Sequence, residues 1–206
     1  MTVSMDRRDK PGDDELDGSR QFRVDMTPDT IIAFWKEVGE TRWFAVDPAL
    51  DADIRRRFES VWQDARAGNL ADWENGAEGA LALVILLDQF PRNMFRGTAE
   101  AFSTDAQARG VAERAVVRDY DLETPPPLRP FFYLPFMHSE NDADQDRCVS
   151  LIAERVGENS VNYPFALGHR AVIRQFGRFP GRNAALGRAT TPEEHQFLSS
   201  PHPHTP

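Results

Sequence analysis

Apolar residues recur along most of the chain at the three- and four-residue spacing of helices that bury one face. The first of these faces follows residues 27–29, TPD, which supply an N-cap, a proline at the first helical position and an acid in the first turn. Residues 47–48, DP, repeat that opening before a second face, and Gly39 and Gly68 end the two helices. Further helices are predicted over residues 76–89, 99–118, 139–156 and 162–176, with a short last helix after the capping box TPEE (191–194).

The alternation of apolar and polar residues that marks a strand is nearly absent. FFYLPF (131–136) is the one strand candidate, and Pro135 weakens it because proline cannot donate a ladder hydrogen bond. TPPPLRP (124–130) predicts a stiff, extended connector. The expected fold is all-α, a single domain over residues 21–198, and because the loops are short we expect antiparallel helical hairpins. Residues 1–20 and 199–206 are predicted to be a disordered leader and a disordered tail.

Composition narrows the class of protein. The formal net charge of −9 argues against a general affinity for nucleic acid or for an anionic membrane. The longest apolar run, ALALVILL (80–87), is far shorter than the roughly 20 residues of a membrane span. Cys148 is the sole cysteine, so no intrachain disulfide can form, and residues 1–20 lack the apolar core of a signal peptide. These features predict a soluble, cytoplasmic protein and leave its oligomeric state open.

The stretch LLDQFPRN (86–93) places polar groups at the end of a helix that is apolar on every side. An unpaired Asp88 carboxylate there would be costly, so it needs an arginine or several N–H donors. Pro91 should end the helix and leave carbonyls that Arg92 or Arg96 could reach. Asp88, Arg92 and Asn93 therefore either seal a helix end or form the floor of a polar pocket.

A second stretch, QFGRFPGRN (175–183), lies in a segment with an unusual charge. Residues 159–192 contain no acid and five arginines. Repulsion among them must be relieved by acids from elsewhere, for which Asp88 and Glu140 are the predicted partners, or by a bound anion. The arginines are Arg170, Arg174, Arg178, Arg182 and Arg188. The candidates for ligand binding in this segment are Arg178, Arg182, Asn183 and Arg188.

Two histidines stand out from their surroundings. His138 follows the apolar LPFM and should lie at a buried edge, and His169 lies on the apolar face of its helix. Each could be an ordinary core residue; together with Glu140 they could also form an acid–base pair if the fold joins them. The catalytic candidates are thus His138, Glu140 and His169. No zinc, calcium, P-loop or dinucleotide-binding motif is complete, so we expect no metal and no cofactor.

Long motifs carry a family resemblance. The bacterial domain-of-unknown-function 924 family is closely resembled by LALVILLDQFPRNMFRG, AFSTDAQA, FFYLPFMHSE, the following Asp144 and Gln145, FGRFPGRNAALGR and TPEEHQFL. The resemblance covers about residues 27–198. That resemblance implies an all-α fold of the tetratricopeptide-like superfamily, a right-handed array of helical hairpins. It implies no established activity.

Three functions remain open at this point. The first is a helical binding module whose arginine-rich segment takes an acidic peptide or a small anion. The second is a hydrolase-like enzyme, in which arginines hold a phosphorylated or carboxylated molecule and His138 or His169 moves a proton, oriented by Glu140. The third is a scaffold in which these polar groups only hold helices together.

Overall fold

In the computed structural model, residues 26–200 are described, and every regular element within them is helical. This confirms the predicted all-α class and the single domain, while the tetratricopeptide-like arrangement stays an expectation. The α-helices are α1 Pro28–Val38, α2 Pro48–Arg66, α3 Ala77–Val84, α4 Phe90–Met94, α5 Asp105–Val117, α6 Tyr120–Glu123, α7 Leu134–Met137, α8 Asp142–Arg155, α9 Asn162–Phe176 and α10 Pro192–Leu198. Short 3₁₀ turns occupy Ala71–Asn75, Ala99–Phe102, Arg129–Phe132 and Pro180–Arg182. The predicted leader (1–20) and residues 201–206 of the predicted tail lie outside the described residues.

The predicted caps open the helices as expected. Asp47 accepts hydrogen bonds from the backbone N–H groups of Ala49 and Leu50 at 3.0 and 3.1 Å. At α10 the two halves of the capping box are both present, because Thr191 accepts from the Glu194 N–H and Glu194 accepts from the Thr191 N–H. Satisfying these otherwise unpaired donors fixes where each helix begins.

The central helix runs from Ala77 to Met94 and is the element around which the others are arranged. Helices α1 and α5 pack against α3, and α2 packs against α4. Between α3 and α4, residues Ile85–Gln89 form a π-helical segment, in which the Phe90 N–H donates to the Ile85 carbonyl. All five residues of this π segment are buried. Such wide turns often occur at functional sites, where they change the direction of side chains.

The expectation that Pro91 ends this helix is wrong, and the structure gives the reason. Pro91 has no N–H for the Leu87 carbonyl four residues earlier, but the Thr104 hydroxyl donates to that carbonyl at 2.6 Å. The next carbonyl, that of Asp88, accepts from Arg92 Nη1 at 2.9 Å. The sequence predicted that Arg92 could reach a carbonyl left unpaired at this point. With these carbonyls satisfied by side chains, the chain stays helical through Pro91 to Met94.

Aromatic rings fill the space between these helices. Phe90 packs against Phe34, Trp35 and Phe58, with ring centroids 4.8–6.0 Å apart. Trp43 packs edge-on against Phe131 and donates its indole N–H to the Trp35 carbonyl at 2.7 Å. Aromatic pairs of this kind add about 0.5–1.5 kcal/mol each beyond the area they bury. The central helix is therefore held on several sides at once.

Beyond this core, α8 and α9 form an antiparallel hairpin, and the chain then continues as a C-terminal arm, residues 177–198. Its apolar contacts form a separate small cluster of Val172, Ile173 and Phe179. Few apolar residues are available to hold this arm, so its position depends largely on polar side chains. Those side chains place the second sequence stretch beside His138.

Three further expectations are corrected. TPPPLRP is not extended: the N–H groups of Leu128 and Arg129 both donate to the Pro125 carbonyl, and this turn leads into the 3₁₀ turn Arg129–Phe132. FFYLPF is not a strand: it contributes to the 3₁₀ turn Arg129–Phe132 and to α7, since Pro135 suits the first turn of a helix. Helix α8 begins at Asp142 rather than near residue 139, because the side chain of Asn141 caps it. Within residues 26–200 no helix is both long and apolar enough to cross a membrane.

Candidate functional site

Asp88 projects from the π segment into a fully enclosed position, with none of its surface exposed. Both of its carboxylate oxygens lie close to Nδ1 of His138, at 2.8 and 3.0 Å. The Gln89 amide also donates to the carboxylate, and Arg92 Nη2 lies 3.6 Å from it. Burial alone would raise the pKa of Asp88, but Arg92 and His138 outweigh burial and lower the pKa to about 2. Asp88 is therefore ionised at neutral pH.

His138 follows α7, and its imidazole is oriented by Asp88. An ionised carboxylate can only accept, so Nδ1 carries the proton and Nε2 is left with a lone pair. Burial lowers the pKa of His138, the charge of Arg92 lowers it further, and Asp88 opposes both, so that the pKa lies below its usual value. Nε2 has no hydrogen-bond partner among residues 26–200, and the side chain remains 15% exposed. The result is a neutral imidazole with an available basic nitrogen.

The loop around His138 is held by side chains on both sides. The Gln145 amide donates to the carbonyls of Met137 and Ser139, at 2.7 Å each. Arg182 Nη2 donates to the carbonyl of His138 itself at 2.9 Å. Neighbouring carbonyls are thus fixed from α8 and from the C-terminal arm, and the imidazole has little freedom to leave Asp88.

Asp105, at the start of α5, joins the two sequence stretches. Arg92 pairs with it through two hydrogen bonds, of 2.8 and 3.1 Å. Arg182 reaches the same carboxylate less closely, at 3.4 Å. Two guanidinium groups therefore share one carboxylate.

Arg182 is also enclosed by aromatic rings. Its guanidinium lies 4.7 Å from the ring centroid of Phe102 and 4.6 Å from that of Phe179, within range of a cation–π interaction on both sides. Its side chain is only 11% exposed. Burial lowers the pKa of Arg182, and the charge of Arg92 adds to this, bringing the pKa to about 10 despite the opposing effect of Asp105. Arg182 is thus a largely buried guanidinium that makes only two hydrogen bonds within the described residues.

Glu140 and Arg188 form a second cluster next to the first. Arg188 donates to both Glu140 oxygens, at 2.7 and 3.0 Å, and the backbone N–H of Phe179 donates to Glu140 at 2.8 Å. Burial would raise the pKa of Glu140, but its hydrogen bonds to Arg188 and Phe179 outweigh burial and lower the pKa. Arg188 continues to Asn183, whose amide donates to Glu194 at 3.0 Å. This cluster holds the arm against the loop after His138.

Each of the five arginines in the acid-free segment has an acidic partner within the described part of the chain. Of the two acids predicted as partners, Glu140 pairs with Arg188, whereas Asp88 pairs with none of the five. The observed pairs are Arg170–Asp146, Arg174–Asp142 and Asp146, Arg178–Glu194, Arg182–Asp105 and Arg188–Glu140. Repulsion among these arginines is therefore relieved without a ligand.

The remaining candidates lie outside the centre formed by Asp88, Arg92, His138 and Arg182. Asn93 faces the other way, and its amide donates to Asp51 at 2.8 Å. His169 contacts the rings of His138 and Phe179, at centroid distances of 6.4 and 5.6 Å, and its Nδ1 bonds the carbonyl of Phe165. His169 thus lines the site without touching Asp88, as a histidine on the apolar face of α9.

Sequence reasoning missed Asp105, Phe102 and Gln145 as site residues. Asp105 looked like an ordinary acid in the first turn of a helix, and Phe102 like a core residue. Their motif, AFSTDAQA, marked the segment through family resemblance alone. Gln145, together with Asp144, was likewise marked through the resemblance alone, and nothing in the sequence predicted that its amide turns back toward Met137 and Ser139.

Two cavities occur elsewhere in the described structure. One, of about 670 Å³, lies beside α1 and the N-terminus of α3; the other, of about 570 Å³, lies between α9 and α10. Neither is lined by Asp88, His138 or Arg182. Within residues 26–200, no group of three or more histidine, cysteine or acidic side chains is arranged to hold a metal ion.

Comparison with known proteins gives a family and a fold. Residues 31–202 match the family model described as "Bacterial protein of unknown function (DUF924)". The chain is also similar to a solved structure from Agrobacterium tumefaciens, that of the protein of unknown function ATU0120. The identity is 44%, the TM-score is 0.79, and the alignment covers 83% of this chain and 96% of that one. No functionally curated protein shows significant similarity to the chain.

Proposed function

We propose that this chain, which belongs to the DUF924 family of bacterial proteins of unknown function, binds a small carboxylated or phosphorylated molecule through Arg182. The observation that carries the proposal is the incomplete pairing of this one guanidinium. It makes one hydrogen bond of 2.9 Å to the His138 carbonyl and a longer one of 3.4 Å to Asp105. A guanidinium has five N–H donors, so most of them have no protein acceptor among residues 26–200.

The two aspartates nearest to Arg182 make their shorter hydrogen bonds to other groups. Asp105 already makes two shorter bonds to Arg92. Asp88 is engaged by His138 and Gln89. A carboxylate or phosphate at Arg182 would accept from its free donors, because planar bidentate recognition of such groups suits arginine.

Arg178 and Arg188, the other two arginines predicted to bind a ligand, do not offer such a site. Arg178 and Arg188 each make two short hydrogen bonds to a single carboxylate, which uses the donors that a ligand would need. Arg182 is also the least exposed of them, so that a small anionic group fits better than the side of a large partner. We therefore favour a small molecule over an acidic peptide.

Thermal unfolding with added anions tests this proposal. Inorganic phosphate, succinate and citrate would be screened at millimolar concentration, together with a short glutamate-rich peptide. A ligand at a hundred times its Kd stabilises the folded state by about 2.7 kcal/mol, and each kcal/mol raises Tm by about 2–4 °C in a domain of this size. We expect at least one small anion to raise the Tm of the wild-type protein.

Two variants locate the effect. Arg182→Gln should remove the rise in Tm, and Arg174→Gln, at an exposed ion pair, should keep it. No rise with any small anion, or an equal rise in Arg182→Gln, would overturn the proposal. Stabilisation by the peptide alone would replace the small molecule with an acidic peptide as the partner.

A further inference from the structure

We propose that His138 acts as a general base that activates water for the hydrolysis of small anionic carboxylic esters. This inference rests on the proposed function, because Arg182 would hold the anionic group of the ester. Arg182 donates to the carbonyl of His138 at 2.9 Å, so the anchoring group and the base are adjacent.

The geometry of the base is that of an oriented imidazole. Asp88 fixes the proton on Nδ1, so the lone pair is on Nε2, which makes no hydrogen bond to any of residues 26–200. The charged and titratable groups around His138 are Asp88, Arg92 and, farther away, Asp105. Arg182 bonds its backbone carbonyl, and the ring of His169 lies 6.4 Å from its own. Because Asp88 holds the ring without touching the substrate, it is a positioning residue, and His138 is the catalytic residue.

The nucleophile must be water. The Ser139 hydroxyl donates to Asp144 at 2.6 Å, and the Thr104 hydroxyl donates to the Leu87 carbonyl. The Cys148 thiol is fully buried, and burial raises its pKa to about 12. Among residues 26–200, no hydroxyl or thiol is hydrogen-bonded to the imidazole, so that Nε2 is left to accept a proton from solvent.

A carboxylic ester suits this base better than a phosphate monoester. Phosphoryl transfer passes through a loose transition state, in which the attacking water needs little deprotonation. Attack on a carbonyl carbon is different, because the water must lose a proton as the new C–O bond forms. A neutral imidazole supplies that acceptor directly.

The reaction is balanced without any further reagent. Water gives a proton to Nε2 while its oxygen bonds to the carbonyl carbon, and the π pair moves to the carbonyl oxygen. When that pair returns, the bond to the alcohol oxygen breaks, and the proton on Nε2 passes to the leaving alcohol. The products are a carboxylic acid and an alcohol, and His138 is neutral again.

Two chromogenic esters test the inference in the full-length protein. The first is 4-nitrophenyl hydrogen succinate, which carries a free carboxylate, and the second is neutral 4-nitrophenyl acetate. We expect kcat/KM to be higher for the succinate ester, and Arg182→Gln to lower it for that ester only, through KM. General-base catalysis contributes roughly 10²–10⁴-fold, so His138→Gln should lower kcat by that factor.

Further variants distinguish catalysis by His138 and Asp88 from hydrolysis by an exposed histidine elsewhere on the protein. His195→Gln removes an exposed histidine on α10 and should leave the rate unchanged. Asp88→Asn should lower kcat nearly as much as His138→Gln, because an amide N–H would place the imidazole proton on Nε2 instead. Should Asp88→Asn fail to fold by circular dichroism, the comparison of His138→Gln with His195→Gln decides alone.

The pH profile gives an independent result. Only neutral His138 can accept a proton, and its pKa lies below the usual 6.5. The rate should therefore persist below pH 6.5 and fall only through that lower pKa.

Hydrolysis that survives in His138→Gln within about twofold, or that His195→Gln loses equally, would overturn the inference. Succinate binding without any ester hydrolysis would also overturn it, while leaving the proposed function in place. Absence of both would remove the two together.

Discussion

Two aspartates of this protein, Asp88 and Asp121, are completely enclosed, and their surroundings neutralise them in different ways. Asp121 lies in α6, where Arg155 Nη1 donates to both carboxylate oxygens at 2.8 and 2.9 Å and the Tyr133 hydroxyl donates as well. Asp88 is instead bonded by the imidazole of His138 and by the Gln89 amide, and its arginine neighbour, Arg92, lies 3.6 Å away. Both carboxylates are satisfied, but by partners of different chemistry.

The difference shows what separates a structural ion pair from a candidate site. Burial and the neighbouring Asp121 raise the pKa of Tyr133 well above its usual range, so its hydroxyl keeps its proton at any ordinary pH. An arginine likewise stays charged. The partner of Asp88 is different, because an imidazole can be neutral, and Nε2 of His138 makes no hydrogen bond to any of residues 26–200 while the side chain stays 15% exposed. Burial alone therefore does not identify a functional carboxylate; the nature of its partner does.

The largest effect is expected from Asp121→Ala. The substitution leaves Arg155 and the Tyr133 hydroxyl without their buried acceptor, and breaking a buried pair from one side costs about 3–5 kcal/mol. Urea unfolding measures the loss in the free energy of unfolding. Asp119→Asn is the matched control: Asp119 also pairs with Arg155, at 3.1 Å, but it is exposed, so its loss should cost under about 1 kcal/mol.

Asp88→Ala should destabilise the protein less than Asp121→Ala. Its main partner is neutral, and Arg92 keeps two hydrogen bonds to Asp105. The cost is then that of buried donors left without an acceptor, about 1–3 kcal/mol. Urea unfolding under the same conditions would compare the two. A larger loss for Asp88→Ala would contradict the distinction between the two carboxylates.

The sequence was informative about Asp88 and silent about Asp121. An acid inside a continuous apolar helix must be explained, because burial of an unpaired carboxylate is costly. Asp121, in DYDLETPPP, stands among other polar residues before a proline run and looks like any solvated helix end. Its carboxylate is enclosed by Tyr133 and by Arg155 at the end of α8, and neither contact has a signal in the sequence near Asp121.

The helices could be predicted because their signals are local in the sequence, whereas most contacts between distant side chains have no local signal. Caps such as Asp47 and Thr191, and the spacing of apolar residues, are local properties that a short window of sequence contains. Glu140 was correctly predicted as an acid for the arginine segment, but the pairing of Arg92 and Arg182 with Asp105 depends on how the central helix, α5 and the C-terminal arm meet. The helix through Pro91 shows the same limit, since it requires a hydroxyl from Thr104, 13 residues later.

Stability against pH should distinguish the two carboxylates next. The pKa of His138 is lowered in the folded state, so the unfolded chain binds its proton first as pH falls. Stability is then fully present above about pH 6.5 and decreases as pH falls toward the lowered pKa, by at most about 1.4 kcal/mol per pH unit. His138→Gln should flatten this decrease between pH 7 and 5.5 in urea unfolding. An unchanged slope in that variant would show that folding does not lower the pKa of His138.

The smallest effect is expected from an exposed ion pair, which provides the scale for the others. Arg55 and Glu59 lie one turn apart on α2, with 3.2 Å between Nε and Oε2 and both side chains in contact with water. Water screens such a pair, and the order in which the arginine precedes the acid is the less favourable one for the helix dipole. Glu59→Gln should therefore lower the free energy of unfolding by no more than about 0.5 kcal/mol. Its loss of stability between pH 7 and 5.5 should match that of the wild-type protein. Glu59→Gln could instead flatten the dependence of stability on pH as much as His138→Gln does. The pH response would then come from the surface charges in general. It would no longer distinguish the partner of Asp88 from the partners of Asp121.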